Sequence, residues 1–300
     1  ARPTSTTRAK PDPMTTALNA TVIHREELHH GLLILRVKPD GGTPAFLPGQ
    51  YAVLGLPAEA ARHECAEPEA STAFKPGKII KRAYSIASSS LEGEYLEFYV
   101  AMVYSGALTP RLFALEEGDR IWLGRKITGM FTLADVTPGH DLIFVATGTG
   151  LAPYVSMLRS AYRFGGGFQT LVLHGARHSW DLGYRRELEA LAAHYHDLHY
   201  YPMISRPVDD PYWQGETGYV SKFFANGRLG SLLDHDLDPT RTSVFLCGNP
   251  RMILDMEEAL GARGFKLHSR RERGNVFSEK YWNESEVGAI QGELRPSLSS

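Results

Sequence analysis

Three hundred residues at 43% hydrophobic and 22% charged carry enough apolar material for two cores, because a single core stops growing near this length. A formal net charge of −2 excludes a generally basic nucleic-acid binder, and 29 glycines and 18 prolines without a repeat exclude collagen-like chains. Two cysteines, Cys65 and Cys247, are too few for a cysteine zinc site or an iron–sulfur cluster. The chain reads as reduced and cytoplasmic, and no apolar stretch approaches the ~20 residues that span a membrane.

Residues 1–16 are Arg, Pro, Ser and Thr with almost nothing to bury, and are expected to form a disordered tail. From 17 to 138 short β-rich runs follow one another: Thr21–His24, Leu32–Val37, Tyr51–Leu56, Arg82–Ala87, Tyr95–Val100 and Arg120–Leu123. Turn residues such as Asp40-Gly41-Gly42, Pro48-Gly49 and Glu117-Gly118-Asp119 separate them, as in an antiparallel barrel or sandwich. Residues 57–80, Ala/Glu-rich and then Lys-rich, interrupt this series as an inserted loop. From 139 to 282 strands and helices alternate. Strand Asp141–Ala146 precedes a helix from Pro153, which places Tyr154, Met157, Leu158, Ala161 and Tyr162 on one face. Strand Thr170–His174, helix Arg186–Tyr195, strands Leu198–Ser205 and Ser243–Cys247, and helix Pro250–Gly261 follow. Such alternation implies a parallel sheet with helices on both faces. Residues 283–300 trail off as a C-terminal extension of small and polar residues.

Four runs carry chemistry. In Arg82-Ala83-Tyr84-Ser85 alternate residues share a face, so Arg82 and Tyr84 point one way and Ser85 the other. A guanidinium suits a pyrophosphate, a tyrosine ring a planar ring system, and a serine hydroxyl a ring nitrogen; an ordinary edge strand explains the run about as well. In Gly106-Ala107-Leu108-Thr109-Pro110, Thr109 is the expected N-cap and Pro110 the first helical residue, so the loop's amides suit a diphosphate. Gly148-Thr149-Gly150-Leu151-Ala152-Pro153 follows a strand and opens a helix, where glycines permit a tight turn and close approach of a second pyrophosphate. Cys247-Gly248-Asn249-Pro250-Arg251-Met252 repeats that context with Asn249 as N-cap, and puts Cys247 at the carboxyl end of a parallel strand. A buried small hydrophobe is the competing reading of that cysteine.

Together these motifs resemble the ferredoxin–NADP⁺ reductase family, its bacterial branch in particular, in order from Leu18 to Trp282. The resemblance implies two domains: an N-terminal antiparallel Greek-key β-barrel for FAD and a C-terminal α/β parallel-sheet domain for a nicotinamide dinucleotide. Arg82, Ala83 and the loop Gly106, Ala107, Leu108 and Thr109 would hold the FAD diphosphate. Tyr84 and Ser85 would contact the flavin, with Tyr99 and Val100 along its ribityl and adenine side and the aromatic pair Tyr281 and Trp282 covering it. Gly148, Thr149, Gly150, Pro153, Gly248 and Asn249 would receive the nicotinamide nucleotide. Ser85, Cys247 and Glu279 would stand at the hydride-transfer centre, with Glu279 supplying protons; a solvated strand-end carboxylate is an equal reading of Glu279.

NADPH is the favoured donor, because His174-Gly175-Ala176-Arg177 ends the second strand without the acid of NAD sites, and Ser205-Arg206 matches the family's phosphate-binding pair. Tyr219 stands where the bacterial branch carries an arginine, so NADH use stays open. The expected partner is an acidic ferredoxin or flavodoxin docking on basic residues drawn from Lys75, Lys78, Lys81, Arg82, Lys266, Arg270, Arg271 and Arg273, with neither nucleic acid nor membrane as partner. His194, His196 and His199 read as a solvated helix terminus rather than a metal site. An NADH-dependent reductase component supplying an oxygenase, and a non-catalytic flavin redox sensor, are the alternatives.

Overall fold

The computed structural model describes residues 18–70, 73–164, 168–225, 228–233 and 235–280. The expected tail 1–16, the pair Tyr281 and Trp282, and the extension 283–300 lie outside the described residues.

The N-terminal half builds β1 (Ala20–His29), β2 (Leu32–Pro39), β3 (Tyr51–Pro57), β4 (Ile79–Ser85), β5 (Leu96–Ala101), the short helix α1 (Thr109–Phe113) and β6 (Arg120–Leu123). Its sheet runs β4-β3-β6-β1-β2-β5, and a bridge from Ile86 to Phe98 brings the β4 end against β5. Consecutive β3, β4 and β5 are thus neighbours while β6 returns beside β3, a Greek key closed into a barrel. Period-two alternation fills it: Leu33, Leu35 and Val37 of β2 and Leu96, Phe98 and Val100 of β5 point into the barrel core. The other face of these strands is also buried. Leu32, Ile34 and Tyr99 join the core of the second sheet.

The C-terminal half builds β7 (Asp141–Thr147), α2 (Ala152–Ala161), β8 (Thr170–Ala176), α3 (Arg185–His194), β9 (Leu198–Ile204), the two-residue β10 (Glu216–Thr217), α4 (Lys222–Ala225), α5 (Arg228–Leu233), β11 (Thr242–Gly248), α6 (Pro250–Gly261) and β12 (Val276–Lys280). All pairings are parallel, in the order β10-β9-β8-β7-β11-β12. Both faces are covered, so the strands read as unbroken apolar runs. Leu142, Phe144, Phe245, Cys247 and Phe277 face α2, α3 and the barrel, whereas Ile143, Val145, Val244 and Leu246 face α5 and α6. The chain leaves β7 toward β8 on one side, while β11 lies on the other, so the sheet's switch point falls between the carboxyl ends of β7 and β11.

The halves meet along α2. Ser156 Oγ donates to Ser88 O at 2.7 Å, and the Arg159 guanidinium reaches Ala87 O at 3.1 Å and Glu97 Oε1 at 2.6 Å. Glu97, only 1% exposed at its side chain, also accepts from Arg36 at 2.7 Å and from the Tyr184 hydroxyl at 2.9 Å. Burial alone would raise this carboxyl, but the two guanidiniums outweigh it and hold it below its ordinary value. A buried charge tied from both halves fixes α2, and the glycine turn before it, against the end of β4.

Candidate active site

The switch-point loops are built by close approach. A Cβ on Gly150 would lie 2.5 Å from Cys247 O, and one on Gly248 (φ +128) would collide with Thr147 Oγ1, so both positions require glycine. Thr147 Oγ1 instead accepts the Asn249 N–H at 2.7 Å. Asn249 Oδ1 accepts from Arg251 N at 2.8 Å and caps α6, as the sequence predicts. The turn 148–151 is a single 3-10 turn that delivers Ala152, not Pro153, as the first α-helical residue; Pro153 is buried. Gly148 (φ +54) faces open space.

These loops floor a cleft of about 890 Å³, inside the ~300–1,000 Å³ range of small-molecule sites. Gly148, Thr149, Gly150, Gly248 and Asn249 line it from the switch point, and Arg177, Ser205, Arg206 and Tyr219 from the ends of β8 and β9 and the turn after β10. Arg206 N–H donates to Arg177 O at 2.9 Å, which holds the two strand ends side by side. Burial, and then the neighbouring Arg206, push Arg177 below its ordinary value, the signature of two cations sharing a site. Tyr219 is 71% exposed, a ring available for stacking.

Sequence reasoning missed the barrel's share of this cleft. The β1–β2 turn lines it through His29, His30 and Gly31. Gly31 N–H donates to His29 Nδ1 at 3.2 Å, and His29 Nε2 stands 3.0 Å from Asp181 Oδ1 across the seam. Burial would raise Asp181, but His29 and His178 outweigh it and keep the carboxyl below its usual range. A His-His-Gly turn was the available signal, and nothing in the sequence paired it with Asp181.

A second cluster forms where β4 meets the sheet edge. In-register neighbours on parallel strands share a face, and Cys247 pairs with Ala146 on one side and Glu279 on the other. Ser85, buried at the end of β4, donates from Oγ to Glu279 Oε2 at 3.2 Å across 194 positions of sequence. Burial pushes Glu279 up to about 7, and the Ser85 hydroxyl offsets only part of the rise. Ser85, Cys247 and Glu279 therefore come together, one from the barrel and two from adjacent strands.

Along β4, Arg82 is exposed with its guanidinium on Lys81 O at 2.8 Å, Ala83 is exposed, and Tyr84 packs on the rim of the barrel core. One expectation about the adjacent segments needs correction. Thr109 does not cap α1: its hydroxyl turns back to Val103, accepting from N at 3.0 Å and donating to O at 3.1 Å, and Leu108 takes the cap position without a side-chain bond. Period-two alternation sends Val100 into the barrel core and Tyr99 into the seam, where its ring meets Tyr184 edge-on at 5.1 Å. The loop before α1 keeps its cradle character. The amides of Ala107 and Leu108 have no acceptor among the described residues, and a Cβ on Gly106 would lie 2.9 Å from Val103 O.

Residues 144–258 match the oxidoreductase NAD-binding domain family. Ferredoxin--NADP reductase A of Sorangium cellulosum is 35% identical over 285 residues, covering 91% of each chain. Ferredoxin--NADP reductase of Azotobacter vinelandii is 30% identical over 80% of this chain and 88% of its own. Among solved structures, a ferredoxin NADP+ reductase from Neisseria gonorrhoeae with bound FAD and NADP superposes with a TM-score of 0.73 at 22% identity, covering 88% of this chain and 98% of that one.

Proposed function

The chain belongs to the ferredoxin–NADP reductase family, and on that premise we propose that it is a FAD-dependent oxidoreductase moving electrons between NADP(H) and a one-electron carrier, ferredoxin or flavodoxin. When bound, FAD supplies the exchange of a hydride with nicotinamide and its division into single electrons. The residues fit both dinucleotides. Two amides without acceptors among the described residues, a glycine whose Cβ would crowd Val103 O and the exposed Arg82 suit the FAD diphosphate. The Gly148-Thr149-Gly150 turn and the paired cations Arg177 and Arg206 line one cleft and suit a pyrophosphate and a 2′-phosphate.

The chain's own work is to hold, orient and exclude water. Tyr84 and Ser85 would orient the flavin at the end of β4, and Cys247 would offer a small buried surface to the nicotinamide ring beside the switch point. Glu279, lifted to about 7 by burial, both holds and releases a proton near neutral pH and accepts a hydrogen bond from Ser85 Oγ. That pair forms a route for protons between solvent and the flavin edge. Ser205 and Arg206 bind the 2′-phosphate with Arg177, and Tyr219 stacks on adenine in place of a further cation. The carrier docks on exposed cations: Lys75, Lys78, Lys81 and Arg82 on the approach to and along β4, and Lys266, Arg270, Arg271 and Arg273 between α6 and β12. Among the described residues no helix is long and apolar enough to cross a membrane.

The observation that carries this reading is the convergence of Ser85, Cys247 and Glu279 beside the switch point. Steady-state reduction of ferredoxin and of flavodoxin with NADPH and NADH tests it. Carrier reduction with a higher kcat/KM for NADPH is expected; reduction of neither carrier by either nucleotide would defeat it.

A further inference from the structure

Residues 58–70, between β3 and β4, have no part in the function above, yet they are sewn to the loop that precedes α1. Arg62 donates to Gly106 O at 3.0 Å, to Glu67 O at 2.8 Å and to Tyr104 O at 3.5 Å. The backbone joins too, with Glu67 N–H on Tyr104 O at 3.0 Å and His63 N–H on Pro110 O at 2.9 Å. Arg111, only 2% exposed, donates to Ala107 O at 2.6 Å and also reaches Ala58 O. Glu69 ties the two guanidiniums together, 3.0 Å from Arg62 and 2.7 Å from Arg111.

Among these bonds, the carbonyls of Tyr104, Gly106, Ala107 and Pro110 are each held, by Arg62, by Arg111 or by the backbone N–H of His63 or Glu67. A peptide plane whose carbonyl is held on one side presents its N–H on the other; the planes held at Gly106 O and Ala107 O carry the amides of Ala107 and Leu108, and neither amide has an acceptor among the described residues. Arginine suits the task, because its planar fork can hold several carbonyls in fixed directions where an ammonium could not. A cradle whose donors are fixed before the ligand arrives loses less ordering entropy on binding.

We propose that residues 58–70 are a brace that sets the amides of the Gly106–Thr109 loop for the FAD diphosphate, with Arg62 as a positioning residue for cofactor retention. This rests on the assignment of that loop to FAD made above. Arg62 touches no ligand in this scheme and acts through the carbonyls of Tyr104 and Gly106.

The test follows the release of FAD from the holoenzyme on dilution, read as the rise of flavin fluorescence, in wild type, Arg62→Met and Arg62→Lys. Release at least ~10-fold faster in Arg62→Met, with Arg62→Lys between it and wild type, is expected. Thermal midpoints of the FAD-free chains should agree among the three, whereas a brace that only stiffened the fold would lower those midpoints and leave release unchanged. Equal release rates overturn the proposal. Should Arg62→Met fail to fold, Arg62→Lys decides alone by the same rate. Wild type that holds no FAD refutes the functional reading itself, whereas wild type that holds FAD with unaltered release in the variants refutes only the brace.

Discussion

Glu279→Gln isolates the consequence of burying a carboxyl against Ser85. Its ordinary value is 4.5 and burial lifts it to about 7. Below the lower value the group is protonated whether the chain is folded or not, and it costs nothing. Between the two, the unfolded chain releases its proton first, so the folded state loses stability as pH rises; above about 7 both states are ionised and the loss is complete. At ~1.4 kcal/mol per pH unit of separation the full loss is ~3 kcal/mol. Glutamine keeps the shape and the bond to Ser85 and carries no charge, so the variant escapes this loss. Urea unfolding of both proteins at pH 5, 6, 7 and 8 should show the variant gaining on wild type by ~2–3 kcal/mol across the series, most of it before pH 7. Subtracting the two curves removes every other titrating group. A difference that stays flat from pH 5 to 8 would show that Glu279 is ionised throughout, and the proton route assigned to it would fall.

Arg206→Ala should cost NADPH ~10–150-fold in kcat/KM, one charged hydrogen bond's worth, and leave NADH within about twofold; equal losses for both would remove the 2′-phosphate from this site. Arg159→Met strips the buried Glu97 of its cationic partner on α2 and should destabilise the fold by ~3–5 kcal/mol in denaturant unfolding. A loss below ~1 kcal/mol would mean that Arg36 and Tyr184 alone neutralise Glu97. Carrier reduction should weaken steeply from low to high salt if the exposed cations guide docking, and salt-independent rates would exclude them.

Much of this was written in the sequence, and the exceptions share a cause. Local grammar announced the barrel strands, the alternating sheet and both strand–turn–helix loops, because alternation, glycine turns and proline-initiated helices are properties of neighbouring residues. Asn249 capped its helix as read, since an Asx cap needs only the next two residues. Thr109 did not, because Val103, six residues back, offered its hydroxyl both an acceptor and a donor. Tyr99 lies on a strand buried on both faces, so its ring meets Tyr184, a contact that no local pattern announces. The fine anatomy of the seam was invisible for the same reason. Glu97 with Arg159, His29 with Asp181, and Ser85 with Glu279 are long-range pairs that only the docking of barrel on sheet creates. The segment 57–80 read as an interruption because its partners, the carbonyls of the 104–110 loop, carry no side-chain signature.

The central claim is that one polypeptide brings two dinucleotides head to head at the switch point, so that nicotinamide delivers hydride to flavin. Anaerobic addition of a stoichiometric amount of NADPH to the purified protein, followed by its visible spectrum, tests this most directly. Rapid bleaching of the flavin bands, faster with NADPH than with NADH, is the predicted result. A flavin spectrum unchanged by either nucleotide, or a protein without bound flavin, would contradict it.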